Sequence, residues 1–349
     1  MPIVADQFDH VVGVDTHARS HTYCIIACRT GAVIDTAAFP TTKPGLARAM
    51  TWIRRRATGE LLAAVEGTSS YGASVTTMLI DAGIEVAEVR PAPKAAQATS
   101  GKSDTIDAET AARSVLGKSI ERLAKPRSAG VRGTLRVLLA ARSLMDQQRT
   151  ANRNALNALV RTTDLEIDAR RPLTNAQIRE IAAWRIGRQE TLTPLGVVRQ
   201  EARRLAQTVI EQTGLLAQNN RQLEELANAT APGLQDQLGI GPVTAAILIC
   251  AYSHKGRVRS EAAFAALGGV APLPASSGNT TRHRLSRSGD RQLNRAFDII
   301  VRTRMSCDDE TKAYVNRRRA DGRTNREIRR CLKRYVARAT YRQLEAVMT

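Results

Sequence analysis

Four carboxylates stand at positions where an enzyme that uses metal ions would hold them. Asp15 ends the apolar run VVGVD, and Glu66 ends the apolar run LLAAVE. Asp104 and Asp107 stand three residues apart in KSDTIDAETAA, a segment that predicts a helix, so both fall on one helical face. If the two apolar runs are neighbouring strands, all four acids converge, and so much negative charge is tolerated around divalent metal. The spacing therefore predicts a metal site.

The elements that must position these acids alternate along the chain. Three β-branched runs, over 10–16, 21–28 and 32–39, are separated by turn-prone residues and predict a three-stranded meander. The elements predicted next are a helix over 43–56, a strand over 61–65, a helix over 71–82, a strand over 84–89 and a helix capped by Ser103. This order is typical of a ribonuclease H-like sheet, whose site lies beyond the carboxyl ends of parallel strands, where Asp15 and Glu66 fall.

A second set of metal-ligand residue types has a spacing that superficially suits zinc: His17, His21, Cys24 and Cys28. Residues 22–27 predict a strand, which separates Cys24 from Cys28 by about 13 Å at roughly 3.3 Å per residue. Because one zinc ion cannot bridge that distance, we expect no zinc site here. The cysteines of the chain lie mostly in apolar patterns, which indicates reduced thiols.

From about Val131 the pattern is purely helical. Beginning at Leu195, mostly apolar residues recur in steps of three and four as far as Leu226. This periodicity predicts a coiled-coil seam, in which Gln212 and Asn219 are polar positions that could fix register and partner number. The alternative is one long helix packed within its own chain.

The chain is strongly basic, with 52 Lys and Arg against 33 Asp and Glu and a formal charge of +19. Such an excess implies a large polyanion as partner. Residues 325–344 place apolar side chains on one helical stripe and most of their Arg and Lys elsewhere. We predict that Arg330, Lys333 and Arg334 on this helix bind nucleic acid, the alternative being a solvated charged face.

The turn LGIGP is a further candidate for phosphate binding. It contains Gly239 and Gly241 and leads into a helix of small residues, as in helix-hairpin-helix modules, whose backbone amides face a phosphate. Glycine turns before helices are common, so an ordinary turn is the alternative.

Nothing in the chain predicts a membrane segment or a signal peptide. No apolar stretch approaches the roughly 20 residues that a bilayer span needs. The start, MPIVADQFDH, has neither a basic flank nor an apolar signal segment. We expect no membrane partner and a cytoplasmic location.

Five segments, in this order, together resemble the transposases of the IS110 family, which includes the IS1111 subgroup and is similar to DNA invertases of the Piv type. The segments are VVGVDTHARSH, AVEGTSSYG, KSDTIDAETAA, LGIGPVTAA and APLPASSGNTTRHRLSRSGDRQLNRA. The resemblance implies a RuvC-like α/β domain, which we place at 1–128, a helical coiled-coil region at 129–231 and a mainly α transposase domain at 232–349. We expect the last to contain the helix-hairpin-helix-like motif.

The family's functional residues carry over onto matching positions of this chain. Its DEDD set of acids, implied to bind Mg²⁺ or Mn²⁺, becomes Asp15, Glu66, Asp104 and Asp107. Its nucleophilic serine becomes Ser277. The loop by itself leaves Ser276 as a second candidate, and we prefer Ser277 because the family's loop pairs serine directly with glycine.

This assignment implies a covalent mechanism. A serine hydroxyl is a poor nucleophile at neutral pH, so activation is needed, and bound metal can polarise the phosphate under attack. We hypothesise that Ser277 forms a phosphoserine with DNA and that a freed hydroxyl then exchanges the strands. Four residues after this serine are predicted to clamp phosphates, unless they form a solvated basic loop: Arg282, His283, Arg284 and Arg287.

The resemblance also implies partners. A structured noncoding RNA would pair with donor and target double-stranded DNA, delegating sequence choice to base pairing. The RuvC-like domain of one subunit would act with the serine of another, so we expect a homodimer at least and a homotetramer on paired DNAs, acting in bacteria at the nucleoid. The alternatives are a RuvC-like nuclease such as a junction resolvase, which hydrolyses DNA with metal-activated water, a Piv-like DNA invertase, and a DNA-binding scaffold whose acids are ordinary surface residues.

Overall fold

The computed structural model describes residues 2–90, 103–127, 130–187, 189, 192–274, 283–284, 286 and 289–348. The chain divides into two compact units, residues 1–128 and 129–349. The finer division at 129–231 and 232–349 stays a prediction.

The first unit is built on a five-stranded sheet of order β3-β2-β1-β4-β5. Its strands are β1 (His10–Thr16), β2 (Ser20–Ala27), β3 (Val33–Pro40), β4 (Leu61–Glu66) and β5 (Glu85–Val89). The first three pair antiparallel as a meander, and β4 lies parallel to both β1 and β5. This mixed sheet fits the predicted ribonuclease H-like, RuvC-like α/β fold.

Helices cover both faces of this sheet. They are α1 (Val4–Gln7), α2 (Lys43–Arg56), α3 (Ala73–Asp81) and α4 (Asp104–Leu116), and a short 3₁₀ turn follows at Ile120–Arg122. Side chains alternate along β1, so Val12 and Val14 enter the core under α2 and α3, whereas Val11 enters the core under α4. Asp15 shares the parity of Val11 and therefore lies on the α4 face.

A glycine in β1 allows α4 to lie directly on the strand. A Cβ atom on Gly13 would stand 2.0 Å from the carbonyl oxygen of Ala108 and 2.6 Å from the nitrogen of Ala112, both backbone atoms of α4. Only a residue without a side chain permits this approach. The same approach brings the first turn of α4 towards the end of β1.

We expect the substitution Gly13→Ala to destabilise the first unit by at least about 2 kcal/mol, because the new methyl group collides with backbone that cannot rotate away. Urea unfolding in a Trp184→Phe background measures this, since Trp52 is then the one tryptophan left. The matched control is Gly117→Ala at the end of α4, where an added Cβ meets nothing within 4 Å. Equal stability of the two variants would contradict the prediction.

The second unit is mainly helical. Its described helices are α5 (Val131–Thr162), α6 (Asn175–Ala182), α7 (Pro194–Thr230), α8 (Pro242–Tyr252), α9 (Glu261–Leu267), α10 (Arg291–Cys307), α11 (Asp309–Ala320) and α12 (Asn325–Val347). A small antiparallel pair joins β6 (Leu273–Pro274) to β7 (His283–Arg284). Among the helices of the described ranges, none is long and apolar enough to cross a membrane.

The predicted coiled-coil seam lies on α7, and its partner is the same chain. Asn219 donates from Nδ2 to the carbonyl oxygen of Leu138 in α5 at 3.0 Å. Gln212 donates from Nε2 to Oε1 of Gln148, also in α5, at 3.1 Å. Both polar positions of the seam therefore contact α5 of the same chain. The alternative, one long helix packed within its own chain, describes the structure.

Candidate functional site

The two strand ends that carry the first acids are neighbours. Strands β1 and β4 run parallel with Val14 opposite Val65, so Asp15 and Glu66 follow side by side. The Thr16 hydroxyl donates to the carbonyl oxygen of Glu66 at 3.0 Å and ties the two strand ends together. The predicted meeting of these strand ends is therefore present in the fold.

The other two acids enter from the first turn of α4. Ser103 caps this helix, and its hydroxyl accepts from the backbone N–H of Ile106 at 3.3 Å, as predicted. Asp104 and Asp107 both lie in that first turn. Since α4 lies on β1 at Gly13, their carboxylates come close enough to act electrostatically on Asp15.

Within the acid cluster, which we define as Asp15, Glu66, Asp104 and Asp107, burial and neighbouring charge oppose the ionisation of Asp15 and Glu66. Burial raises the pKa of Asp15, which as a whole residue is 6 % exposed. His17 lowers this pKa in part, and the neighbouring carboxylates of Asp104 and Asp107 raise it further. Burial also raises the pKa of Glu66, with further increases from Asp15 and Asp107. A divalent cation would stabilise the ionised forms, and carboxylate oxygens are ligands that Mg²⁺ prefers. The residues present therefore fit such an ion.

A histidine that the sequence did not assign to this cluster lies within it. Nε2 of His17 is 3.0 Å from Oδ2 of Asp15 and 3.4 Å from Oδ1 of Asp104. In the part of the chain that the structure describes, one group of three or more His, Cys, Asp or Glu residues has all its possible ligand atoms within 4.8 Å of one another. This group is Asp15, His17 and Asp104. In the sequence, the signal that could have assigned His17 to this cluster is its position two residues after Asp15. The sequence pattern groups His17 with His21, Cys24 and Cys28, whereas the structure places both cysteines in the core under α4.

The predicted serine nucleophile falls outside the described residues. This holds for Ser277 and Ser276 and for two of the predicted phosphate clamps, Arg282 and Arg287. The backbone of the other two clamps, His283 and Arg284, forms β7, which pairs with β6. The described structure therefore includes the two strands that the serine segment connects.

A basic groove in the second unit lies beside this strand pair. We define it by residues 269–272, Ser286, Asn294, Asp298, Arg318 and 323–335 except Leu332, which line it. Arg330 lies exposed in this groove, as does Arg326. Within the described ranges, neither guanidinium forms a salt bridge with a carboxylate. Both are therefore available to an anionic partner.

The other two residues of α12 that were predicted to contact nucleic acid, Lys333 and Arg334, pair with acidic residues of the protein. Nζ of Lys333 is 2.8 Å from Oδ1 of Asp298. Arg334 donates from Nη1 to the carbonyl oxygen of Glu261 at 3.4 Å, and its Nη2 is 3.9 Å from the carboxylate of the same residue. The amphipathic pattern alone did not distinguish these two side chains from Arg330, because their acidic partners come from α9 and α10.

Part of the LGIGP turn packs against α10. Gly239 has a φ of +85°, and a Cβ atom there would be 3.0 Å from the carbonyl oxygen of Ile300 in α10. Arg304 of the same helix donates to the carbonyl oxygen of Leu238 at 2.8 Å. Gly241, at the cap of α8, faces open space within 4 Å. Of the two predicted glycines, Gly239 thus has a packing role, and phosphate binding by this turn stays a prediction.

The mixed five-stranded sheet fits a ribonuclease H-like domain, and the acid cluster lies where β1 and β4 end and α4 begins. Residues 12–163 match the transposase family of the DEDD type named for IS110, and residues 233–316 match the transposase IS116/IS110/IS902 family. The chain therefore belongs to the IS110 family of transposases, which confirms the resemblance.

One relative is an uncharacterized 43.6 kDa protein of insertion element IS110 from Streptomyces coelicolor. It is 33% identical over 116 residues, which are 33% of this chain. The matched part spans 28% of the length of that relative.

Proposed function

We propose that this protein is the DNA transposase of an insertion sequence, a recombinase that cuts and rejoins DNA. The observation that carries this proposal is the convergence of strand ends and helix on one acid cluster in a chain of a transposase family. Membership of a DEDD family implies the use of divalent metal and the binding of DNA. A DNA substrate would place the protein at the chromosome, in the cytoplasm.

The acid cluster would hold the metal, which we propose to be Mg²⁺ or Mn²⁺. Asp15 and Glu66 come from rigid strand ends and Asp104 and Asp107 from a helix start, so the carboxylates are positioned before an ion arrives. Bound metal would polarise the scissile phosphate and stabilise the charge of the leaving oxygen. Removal of metal with EDTA should therefore stop cleavage while leaving DNA binding by the second unit in place.

The covalent step is assigned to Ser277. Its Oγ attacks phosphorus and loses its proton, a phosphorus–oxygen bond of the DNA backbone breaks, and the leaving oxygen takes up a proton as a hydroxyl. The DNA end stays on the protein as a phosphoserine. Attack of a second DNA hydroxyl on that phosphoserine reverses the chemistry and joins a new strand without ATP. Arg282, His283, Arg284 and Arg287 are proposed to clamp phosphates around this serine.

A noncoding guide RNA and a second subunit complete the proposal. The charge of +19 supports a polyanionic partner, and delegation of sequence choice to RNA is implied by the family resemblance. We propose a homodimer or homotetramer in which the acid cluster and the serine come from different subunits. A Piv-like DNA invertase would use the same residues, and inversion of a segment between two sites would distinguish it from insertion.

The basic groove is proposed to bind the nucleic-acid backbone. We expect the double variant Arg326→Ala/Arg330→Ala to weaken duplex binding, and the slope of log affinity against log salt to flatten by about 2, because each lost phosphate contact removes about 0.9 from it. Fluorescence anisotropy over a range of salt concentrations measures both. The matched control is Arg338→Ala/Arg342→Ala on the same helix, whose guanidinium Nε atoms lie 3.0 and 3.3 Å from Glu261. A slope that the groove variant leaves unchanged would contradict the assignment.

A covalent product tests the function directly. The purified full chain is incubated with Mg²⁺, labelled DNA spanning the natural flanks of this reading frame, and RNA transcribed from those flanks. We expect a labelled protein–DNA adduct on a denaturing gel, and a phosphoserine within residues 275–280 after nuclease trimming and peptide mass spectrometry. Free nicked ends without an adduct would instead support the RuvC-like nuclease, which uses metal-activated water. DNA binding without any strand cleavage would support the scaffold alternative.

A further inference from the structure

We propose that His17 is itself a metal ligand, and that its imidazole nitrogen shifts the preference of the site from Mg²⁺ towards Mn²⁺. This inference rests on the proposed function because it concerns the same centre. It goes beyond that function by adding a nitrogen donor to a set that the sequence predicts to consist of oxygens alone.

The distances around His17 are those of ligands that share one ion. Metal–ligand distances near 2.1 Å put neighbouring octahedral ligand atoms about 3.0 Å apart, and tetrahedral ligand atoms about 3.4 Å apart. Nε2 of His17 is 3.0 Å from Oδ2 of Asp15 and 3.4 Å from Oδ1 of Asp104. All three ligand atoms lie within 4.8 Å of one another, so a cation that replaces the hydrogen bond between His17 and Asp15 would meet three donor atoms.

The imidazole also lies between the two elements that supply the acids. Asp15 belongs to β1, Asp104 belongs to α4, and His17 follows directly after β1. An imidazole whose role was only to orient Asp15 has no need of Asp104. Across the described part of the chain, His17 is the one basic side chain within ion-pair distance of either carboxylate. Its Nε2 therefore lies next to both carboxylates, as a third donor atom beside the position where a cation would neutralise them.

Access to solvent favours a ligand over a buried structural histidine. The side chains of His17 and Asp104 are 50% and 58% exposed, whereas that of Asp15 is 8% exposed. An ion could enter from the open side of His17 and Asp104 and meet Asp15 at the bottom of the site. His21, in contrast, is fully buried on β2.

The type of ligand atom determines which ion binds more tightly. Carboxylate oxygens suit Mg²⁺ and Mn²⁺ alike, whereas an imidazole nitrogen suits transition metals, and Mn²⁺ is the weakest binder among those of the first row. A single nitrogen in an oxygen site should therefore discriminate against Mg²⁺ without excluding it. The wild-type chain is expected to bind Mn²⁺ more tightly than Mg²⁺ by at least about tenfold.

Binding of Mn²⁺ and Mg²⁺ to the full chain without nucleic acid tests this inference. Electron spin-echo spectra of the Mn²⁺-loaded protein are expected to show modulation from a directly bound histidine nitrogen. The substitution His17→Asn keeps an oxygen donor, so it should abolish the modulation and lower the Mn²⁺-over-Mg²⁺ ratio by about tenfold while Mg²⁺ affinity changes little. The matched control His254→Asn, in the second unit, should change neither.

The outcomes separate this inference from the proposed function. Metal binding that is lost in Asp15→Asn but unchanged in ratio and spectrum in His17→Asn would overturn the role of His17 and leave the acid cluster standing. Failure of the wild-type chain to bind either ion at millimolar concentration would overturn both. Nitrogen modulation that disappears with His17 alone supports the ligand assignment.

Discussion

Replacement of Ser277 by alanine is expected to abolish the covalent protein–DNA adduct and to lower strand cleavage by at least about 1,000-fold, because the Ser277 hydroxyl is the proposed source of the oxygen that becomes the phosphoester. The adduct is quantified on denaturing gels with labelled DNA, and strand joining by sequencing of the products. Metal binding to the acid cluster should not change, since the hydroxyl is not among its proposed ligands.

The neighbouring serine provides the control for this prediction. Ser276→Ala removes a hydroxyl one residue away, and we expect its cleavage rate to stay within about tenfold of the wild type. If Ser276→Ala abolishes the adduct and Ser277→Ala does not, the nucleophile is Ser276. Cleavage that continues in the double variant would remove the serine mechanism and leave the metal-dependent nuclease.

The second large effect is expected from Asp15→Asn, which should slow strand cleavage by about 1,000-fold. A carboxylate that holds metal at the scissile phosphate is worth several kcal/mol of transition-state stabilisation, and each 1.36 kcal/mol is a factor of about ten in rate. Single-turnover cleavage with saturating Mg²⁺ measures this loss. The matched control is Asp81→Asn, an exposed aspartate at the end of α3, which should cleave like the wild type. Equal rates for both variants would contradict the assignment.

The same substitution should reduce the loss of stability that the metal-free wild type shows as the pH rises. The pKa of Asp15 is raised above its ordinary value of 3.8, so the folded chain holds this proton more tightly than the unfolded chain does. Its contribution to stability is therefore fully present below that value and is lost as the pH rises through the raised pKa. We expect the wild-type chain in EDTA to lose stability over this acidic interval, and Asp15→Asn to lose less. Thermal unfolding in EDTA between acidic and neutral pH measures the difference.

Addition of Mg²⁺ provides the complementary measurement. The ion binds the ionised acid cluster of the folded chain and should raise the melting temperature of the wild type at neutral pH. Asp15→Asn should show a smaller increase, because one ligand is gone. A melting temperature that Mg²⁺ leaves unchanged in the wild type would argue against a metal site in this cluster.

The sequence by itself determined the local elements of the first unit and the positions of its acids within them. Continuous apolar runs predict the strands that carry Asp15 and Glu66 at their carboxyl ends, and a capping serine predicts the helix that begins at Asp104. These features are local, because a strand or a helix start is written in the period and the caps of a few consecutive residues. The five ordered motifs also identified the family, which sheet geometry alone does not do.

Only the tertiary structure decided which of these residues meet other parts of the chain. It placed His17 between Asp15 and Asp104, and it closed α4 onto β1 through Gly13. Likewise, it placed Asn219 in contact with Leu138 of the same chain. It also paired Lys333 with Asp298, whereas Arg330 on the same helix lies exposed in the basic groove. Periodicity states which face of a helix is apolar or charged, but the side chain that covers this face comes from distant sequence. The choice depends on differences of a few kcal/mol between competing long-range packings, which no local pattern encodes.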